Sequence, residues 1–235
     1  MHARVYLERA PAGAPVIVMV PGLAISSRYM MPTAWELSTH ARIYAPDMPG
    51  FGLSDKPRRT LSVPKLADAL GAWMTANEIE RAVLLGNSLG SQIIVDFAVR
   101  HPERVERAVL GALTIDPQAR SLLRQLARLL HAGLLEPPGM LPIAIGDYLR
   151  AGIIRGLRTV HFALLDRVED KLPLMRTKSL VICGDRDPLV PLRWARASTA
   201  LLPGARLVVI PNAAHAINYS APVEMTREVL KFLAE

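Results

Sequence analysis

Short runs of Val, Ile and Leu alternate along this chain with longer segments whose apolar residues recur at helical spacing, and turn residues mark each change. The strand candidates are Val16 to Val20, Arg42 to Ala45, Ala82 to Leu85, Arg107 to Ala112, Leu180 to Cys183 and Arg206 to Ile210. Most are apolar almost throughout, as strands buried on both faces must be, so the pattern predicts a mostly parallel, doubly wound α/β sheet covered by helices on both sides. Helices fit between the strands. Ser62-Val63-Pro64 supplies an N-cap and an early proline ahead of the stripe Leu66, Leu70, Trp73 and Met74. Leu89 to Arg100, Pro191 to Leu202 and Pro222 to Leu233 follow the same logic.

Residues 117 to 176 interrupt the alternation. They hold no strand pattern, only helical segments: Ala119 to His131 ending at Gly133, a hinge at Glu136-Pro137-Pro138-Gly139, and helices through Asp147 to Asp170. A helical insert between two strands of such a sheet is expected to cap a site at the strands' carboxyl ends. The expected division is therefore a core of residues 1-116 and 177-235 and a helical lid of residues 117-176. Most of its apolar positions, among them Leu126, Leu129, Leu130, Ile143, Ile145, Tyr148, Ile153, Ile154 and Leu157, are expected to pack on the core, and together they suggest a largely apolar acyl or aromatic pocket.

Composition narrows the classes. The 235 residues are 51% hydrophobic and 21% charged, which fits a globular chain and excludes disorder as its main character. The net charge of +7 invites a polyanion reading. The basic residues are scattered among acids, however, with Arg58-Arg59 the longest basic run, so no nucleic-acid partner is expected. Nine basic and five acidic residues place +4 of that charge in the insert, where it would favour carboxylate-bearing substrates or remain solvated surface. Cys183 lies in an apolar run and reads as a buried small hydrophobe. The longest apolar stretch, Ala14 to Ile25, is short and broken by Pro and Gly, so no membrane span is expected and the default location is the cytoplasm.

The chemistry concentrates at Gly86-Asn87-Ser88-Leu89-Gly90. This G-x-S-x-G pentapeptide follows a strand and opens a helix, where a sharp turn lifts a serine hydroxyl off the sheet. Serine needs a base to take its proton and an acid to orient that base. His215 lies in the loop after the last strand and is the best base. His2, His40, His101, His131 and His161 lie near the terminus, at helix ends or in the insert. For the acid, Gly184-Asp185-Arg186-Asp187-Pro188 offers two carboxylates and Asp116 a third.

At these residues the chain resembles the α/β-hydrolase fold superfamily, in its serine esterase and meta-cleavage-product-hydrolase-like branch, over almost its whole length. Asp47-Met48-Pro49-Gly50-Phe51-Gly52-Leu53-Ser54 is similar to that family's D-x-P-G-x-G-x-S loop. The G-x-x-D spacing from Gly184, followed by Val190-Pro191, implies Asp187 as the acid, with Asp116 the alternative. Leu89, directly after the nucleophile, offers one backbone N–H to an oxyanion, and the resemblance implies Leu23 for the other. The family's H-G pair is Pro21-Gly22 here, a departure that removes a side chain supporting that loop. Ser26, Ser27, Arg28, Tyr29 and Tyr148 are candidate pocket residues. The resemblance also implies a further strand ahead of His2 to Tyr6, so either the family's first strand is missing or the true protein starts upstream, and the cap is expected to follow the sixth strand.

The expected activity is cleavage of small to medium carboxylic esters through an acyl-enzyme. Carbon–carbon hydrolysis of the meta-cleavage type, suggested by Asn87-Ser88-Leu89-Gly90, and a non-catalytic ligand-binding member of the fold are the alternatives. Ser88 disfavours a dehalogenase, whose nucleophile is aspartate, and leaves cofactor-free perhydrolysis open. No metal spacing is present and no cofactor is expected. The expected partner is a small-molecule substrate, and a homodimer is compatible with the chain.

Overall fold

The computed structural model describes residues 1 to 235. Seven strands form one sheet: β1 (Ala3–Tyr6), β2 (Val16–Val20), β3 (Arg42–Pro46), β4 (Ala82–Asn87), β5 (Val105–Gly111), β6 (Ser179–Gly184) and β7 (Arg206–Ile210). Their order is β1-β3-β2-β4-β5-β6-β7. Only β1 runs antiparallel, pairing with β3; every other pair is parallel. The stretch Ala3–Tyr6 is thus the edge of the sheet.

Ten α-helices complete the chain. On the core side of the sequence are α1 (Met31–Leu37), α2 (Val63–Ala76) and α3 (Leu89–Arg100). The segment between β5 and β6 holds α4 (Leu122–Leu135), α5 (Leu141–Ala151), α6 (Ile153–Leu165) and the short α7 (Val168–Lys171), with no strand, as expected. After β6 come α8 (Leu192–Leu201), the short α9 (Ile217–Ser220) and α10 (Pro222–Leu233). The insert follows the fifth strand of this chain, not a sixth.

The apolar runs become strands because a central parallel strand must bury both faces. Every residue of β4 and β6 is buried, whereas β7, at the edge, buries only Ile210 fully. Cys183 sits inside β6, and burial pushes its thiol up to about 12, so it is packing rather than a nucleophile. No helix is long and apolar enough to cross a membrane.

Three local expectations are corrected. Ser62 does occupy the N-cap of α2, but its side chain accepts no hydrogen bond there; Pro64 in the first turn removes one of the donors a cap would satisfy. Helix α4 does not stop at Gly133 and continues to Leu135, where Glu136-Pro137-Pro138 ends it. A glycine with helical neighbours weakens a helix by about 1 kcal/mol without ending it, while a proline pair ends it outright. The insert's apolar residues do not all pack inward either: Leu130, Ile153 and Ile154 are 74%, 78% and 70% exposed. Apolar residues of the insert that turn away from the Ser88 cavity, unlike Leu126 and Leu129, meet solvent.

Candidate active site

The strand-to-helix turn after β4 sets the site. Ser88 has φ 58° and ψ −123°, a conformation that costs a non-glycine residue on the order of 1–3 kcal/mol. Its N–H donates to the Gly111 carbonyl (2.9 Å) and its carbonyl accepts from Ser91 N–H (2.9 Å), which fixes the turn from both sides. The flanking glycines are required by space. A Cβ at Gly86 would lie 2.7 Å from Ser91 N, and one at Gly90 would overlap the Val20 carbonyl. Helix α3 can therefore press against β2 only with glycine at position 90.

The loop after β7 carries His215 to the loop after β6. His215 Nδ1 lies 2.8 Å from Asp187 Oδ2. The other carboxylate oxygen of Asp187 accepts from Leu189 N–H (2.8 Å) and Val190 N–H (3.1 Å), so the acid is clamped by backbone before it meets the imidazole. Burial opposes protonation of His215, but the charge and hydrogen bond of Asp187, with the charge of Glu136, outweigh it and hold the imidazole above its ordinary range. No hydrogen bond joins Ser88 Oγ to His215. Such contacts commonly tighten only when substrate is bound.

A cavity of about 50 Å³ opens at Ser88. Leu23 and Leu89 line it with Ser88, so the structure brings the expected nucleophile and both expected oxyanion donors to one place. Leu89 begins α3, where its N–H has no acceptor within the helix, and Leu23 N–H makes no backbone hydrogen bond. Eight of the eleven lining residues are hydrophobic, with Leu126, Leu129, Val160 and Ala163 coming from the insert; none is Lys or Arg.

The remaining site candidates lie elsewhere. Asp116 makes no contact with His215; it accepts from Arg128 Nη1 (3.0 Å) and from Arg193 Nη1 and Nη2 (2.9 and 2.5 Å). Its own burial opposes ionisation, yet these arginines hold the carboxyl below the usual range. Ser26 gives both its N–H (2.8 Å) and its hydroxyl (2.5 Å) to Asp147 of the insert. Ser27 gives both to Asp47, in the D-x-P-G-x-G-x-S loop, where Arg4 also binds. Arg28 is exposed, and Tyr148 is absent from the cavity lining.

Tyr29, expected as a pocket residue, instead holds the loop of Leu23, and Glu136, which had no expected site role, holds the loop of His215. Tyr29, at the turn before α1, is buried, and its hydroxyl accepts from Gly22 N–H at 2.7 Å. Burial pushes its phenol well above the ordinary range. It supplies the support that Pro21, in place of the family's histidine, does not give. Glu136, at the end of α4, accepts from Ala216 N–H at 2.7 Å, so the insert grips the residue next to His215. Burial raises the Glu136 carboxyl above its usual range, and its second oxygen is buried without a partner. The Glu136 contact was not legible locally, because its partner is a backbone N–H 80 residues away in sequence.

Sheet, elbow and histidine loop together define a hydrolase fold, and the chain belongs to the alpha/beta hydrolase family, whose model matches residues 17–228. It is 27% identical to an uncharacterized protein of Mycobacterium tuberculosis, covering 96% of this chain and 77% of that one. It is 26% identical to a 2-hydroxy-6-oxo-2,4-heptadienoate hydrolase of Pseudomonas putida, covering 97% and 92%. A solved hydrolase from Pseudomonas aeruginosa superposes with a TM-score of 0.78 at 26% identity, over 99% of this chain and 94% of that one. The protein is a hydrolase.

Proposed function

We propose that this hydrolase cleaves small to medium carboxylic esters through an acyl-enzyme on Ser88. His215 takes the Ser88 proton as the hydroxyl attacks the ester carbonyl, then gives it to the leaving alkoxide. A water deprotonated by the same imidazole attacks the acyl-enzyme, and the proton returns to Ser88 as the acid departs. Asp187 fixes the tautomer of His215 and stabilises the imidazolium. The N–H groups of Leu23 and Leu89 receive the oxyanion. Residues 117 to 176 form the lid over this site, and residues 1-116 with 177-235 the core. The observation that carries the reading is the strained Ser88 in the same cavity as two free backbone donors, with an Asp-clamped histidine on the neighbouring loop.

The character of the cavity supports the neutral ester. Carbon–carbon hydrolysis of a substrate bearing a carboxylate, the second reading, is favoured by the similarity to the Pseudomonas putida enzyme. A carboxylate buried in a mostly apolar cavity needs a cation or several donors, and the lining offers neither Lys nor Arg. Turnover of a p-nitrophenyl ester series by wild type and by Ser88→Ala tests the proposal. Turnover of acetate to hexanoate esters, abolished in the variant, is expected. Cleavage of a meta-cleavage dienoate with no ester turnover would establish the second reading. Tight ligand binding without turnover of either would mark a non-catalytic member of the fold.

A further inference from the structure

A second, larger cavity of about 510 Å³ lies away from Ser88, between the loop after β3 and the start of α6. Its lining contains Lys56 and Arg58 from the loop and Arg155 and Arg158 from α6, and no carboxylate. Four other cations of the insert are paired, Arg120 with Glu169, Arg128 with Asp116, Arg167 with Asp170 and Lys171 with Asp96. The four cations at the cavity make no ion pair. Lys56 and Arg155 strap loop to insert by donating to the carbonyls of Arg150 (2.5 Å) and Pro57 (2.8 Å), which sets their positions and leaves further N–H groups of each free. The side chains of Arg58 and Arg158 make no hydrogen bond. Arg155 and Arg158 are three residues apart and so share one helix face. Helix α6 opens here from Gly152 with no side-chain cap, which adds the positive end of its dipole. Ile153 and Ile154, exposed at the rim, give the cavity an apolar edge.

We propose that this cavity binds a phosphate-bearing anion, through Lys56, Arg58, Arg155 and Arg158, independently of the site at Ser88. Four cations without an ion pair line one cavity that holds no carboxylate, a setting an anion would neutralise, and guanidinium groups match phosphate oxygens in bidentate fashion. A volume of about 510 Å³ accommodates a phosphorylated organic molecule, and the isoleucine rim suits one with an apolar portion. The same chemistry is offered by a soluble organophosphate and by a phospholipid headgroup.

Pyrophosphate titrated calorimetrically into the full-length protein in 150 mM NaCl, roughly where the Debye length is 8 Å and diffuse attraction is screened, tests the site. Saturable one-site binding is expected, weakened at least tenfold in Arg58→Glu/Arg158→Glu and unchanged in Ser88→Ala. The side chains of Arg58 and Arg158 make no hydrogen bond in the fold, so this variant should retain the wild-type thermal midpoint. Sedimentation with phosphatidylglycerol vesicles, against phosphatidylcholine controls, separates the sources. Anionic-vesicle binding competed by pyrophosphate assigns a headgroup, and pyrophosphate binding without vesicle binding assigns a soluble organophosphate. No saturable pyrophosphate binding by wild type, or equal binding by the double variant, overturns the proposal.

Discussion

His215 Nδ1 and Asp187 Oδ2 lie 2.8 Å apart, across the gap between the loops that follow β7 and β6. The other oxygen of Asp187 is held by two backbone N–H groups, so the acid is fixed independently of the histidine. Asp116, at the end of the neighbouring strand, is committed to Arg128 and Arg193 instead.

The two acids should therefore separate cleanly on mutation. Asp187→Asn is expected to lower kcat by about 10⁴-fold with the fold intact, the magnitude seen when a triad acid is replaced by its amide. Asp116→Asn is expected to leave kcat within a fewfold and to lower stability by about 1–3 kcal/mol, because charged hydrogen bonds to two arginines are lost. That stability difference follows the depressed carboxyl of Asp116. It is fully present above the ordinary carboxylate range, about pH 4, and disappears as pH falls through the lowered value. Steady-state kinetics and thermal melts between pH 2 and 7 check both halves.

The pH profile of kcat/KM reports His215. The imidazole must be neutral to accept the Ser88 proton, and Asp187 and Glu136 hold its pKa above the ordinary value of about 6.5. The acidic limb is expected above that value. Glu136→Gln removes one of the two raising charges while an amide oxygen can still accept from Ala216 N–H, so the limb should move to lower pH. An unmoved limb would remove Glu136 from the account. The sign for stability is the reverse of that for Asp116. The raised pKa of His215 adds stability below the unfolded value, and this is lost as pH rises through the folded one.

Tyr29→Phe removes the acceptor of Gly22 N–H beside Leu23. Leaving a buried donor unpaired costs about 1–3 kcal/mol. With the Leu23 N–H displaced, kcat is expected to fall roughly 10- to 100-fold, with KM much less affected, since oxyanion donors act chiefly on the transition state. Equal kcat in wild type and variant would show that the loop holds its shape without the phenol.

Much of the scaffold was legible because parallel strands announce themselves. Val16–Val20 and Arg206–Ile210 were bounded to the residue by apolar composition, and Leu89–Arg100 by the elbow ahead of it and His101-Pro102 behind it. The elbow was readable because two glycines and a serine must sit at fixed spacing for steric reasons. Glu136 and Asp147 were not, since a side chain that reaches a distant backbone N–H leaves no periodic trace, and Tyr29 was legible only as a pocket candidate and not as the acceptor of Gly22 N–H. Nor could the sequence tell which insert leucines and isoleucines face inward. Leu126 and Leu129 line the cavity, whereas Leu130, Ile153 and Ile154 have the same apolar character and face solvent. Only the docking of the helical layer separates them.

Gly90→Ala tests the close packing of α3 on β2. Its Cβ would overlap the Val20 carbonyl, and backbone cannot yield as a flexible side chain can. A loss of about 3 kcal/mol or more in stability, or failure to accumulate folded protein, is expected. A variant with the wild-type thermal midpoint would mean that the helix does not pack against the strand as described.

The central claim is that Ser88 is an activated nucleophile served by His215. Labelling with a fluorophosphonate, read by intact mass and then by peptide fragmentation, tests it most directly. One adduct per chain is expected, located on Ser88, absent in Ser88→Ala and formed far more slowly in His215→Ala. No adduct on wild type, an adduct on another residue, or equal labelling of the Ser88→Ala variant would contradict it.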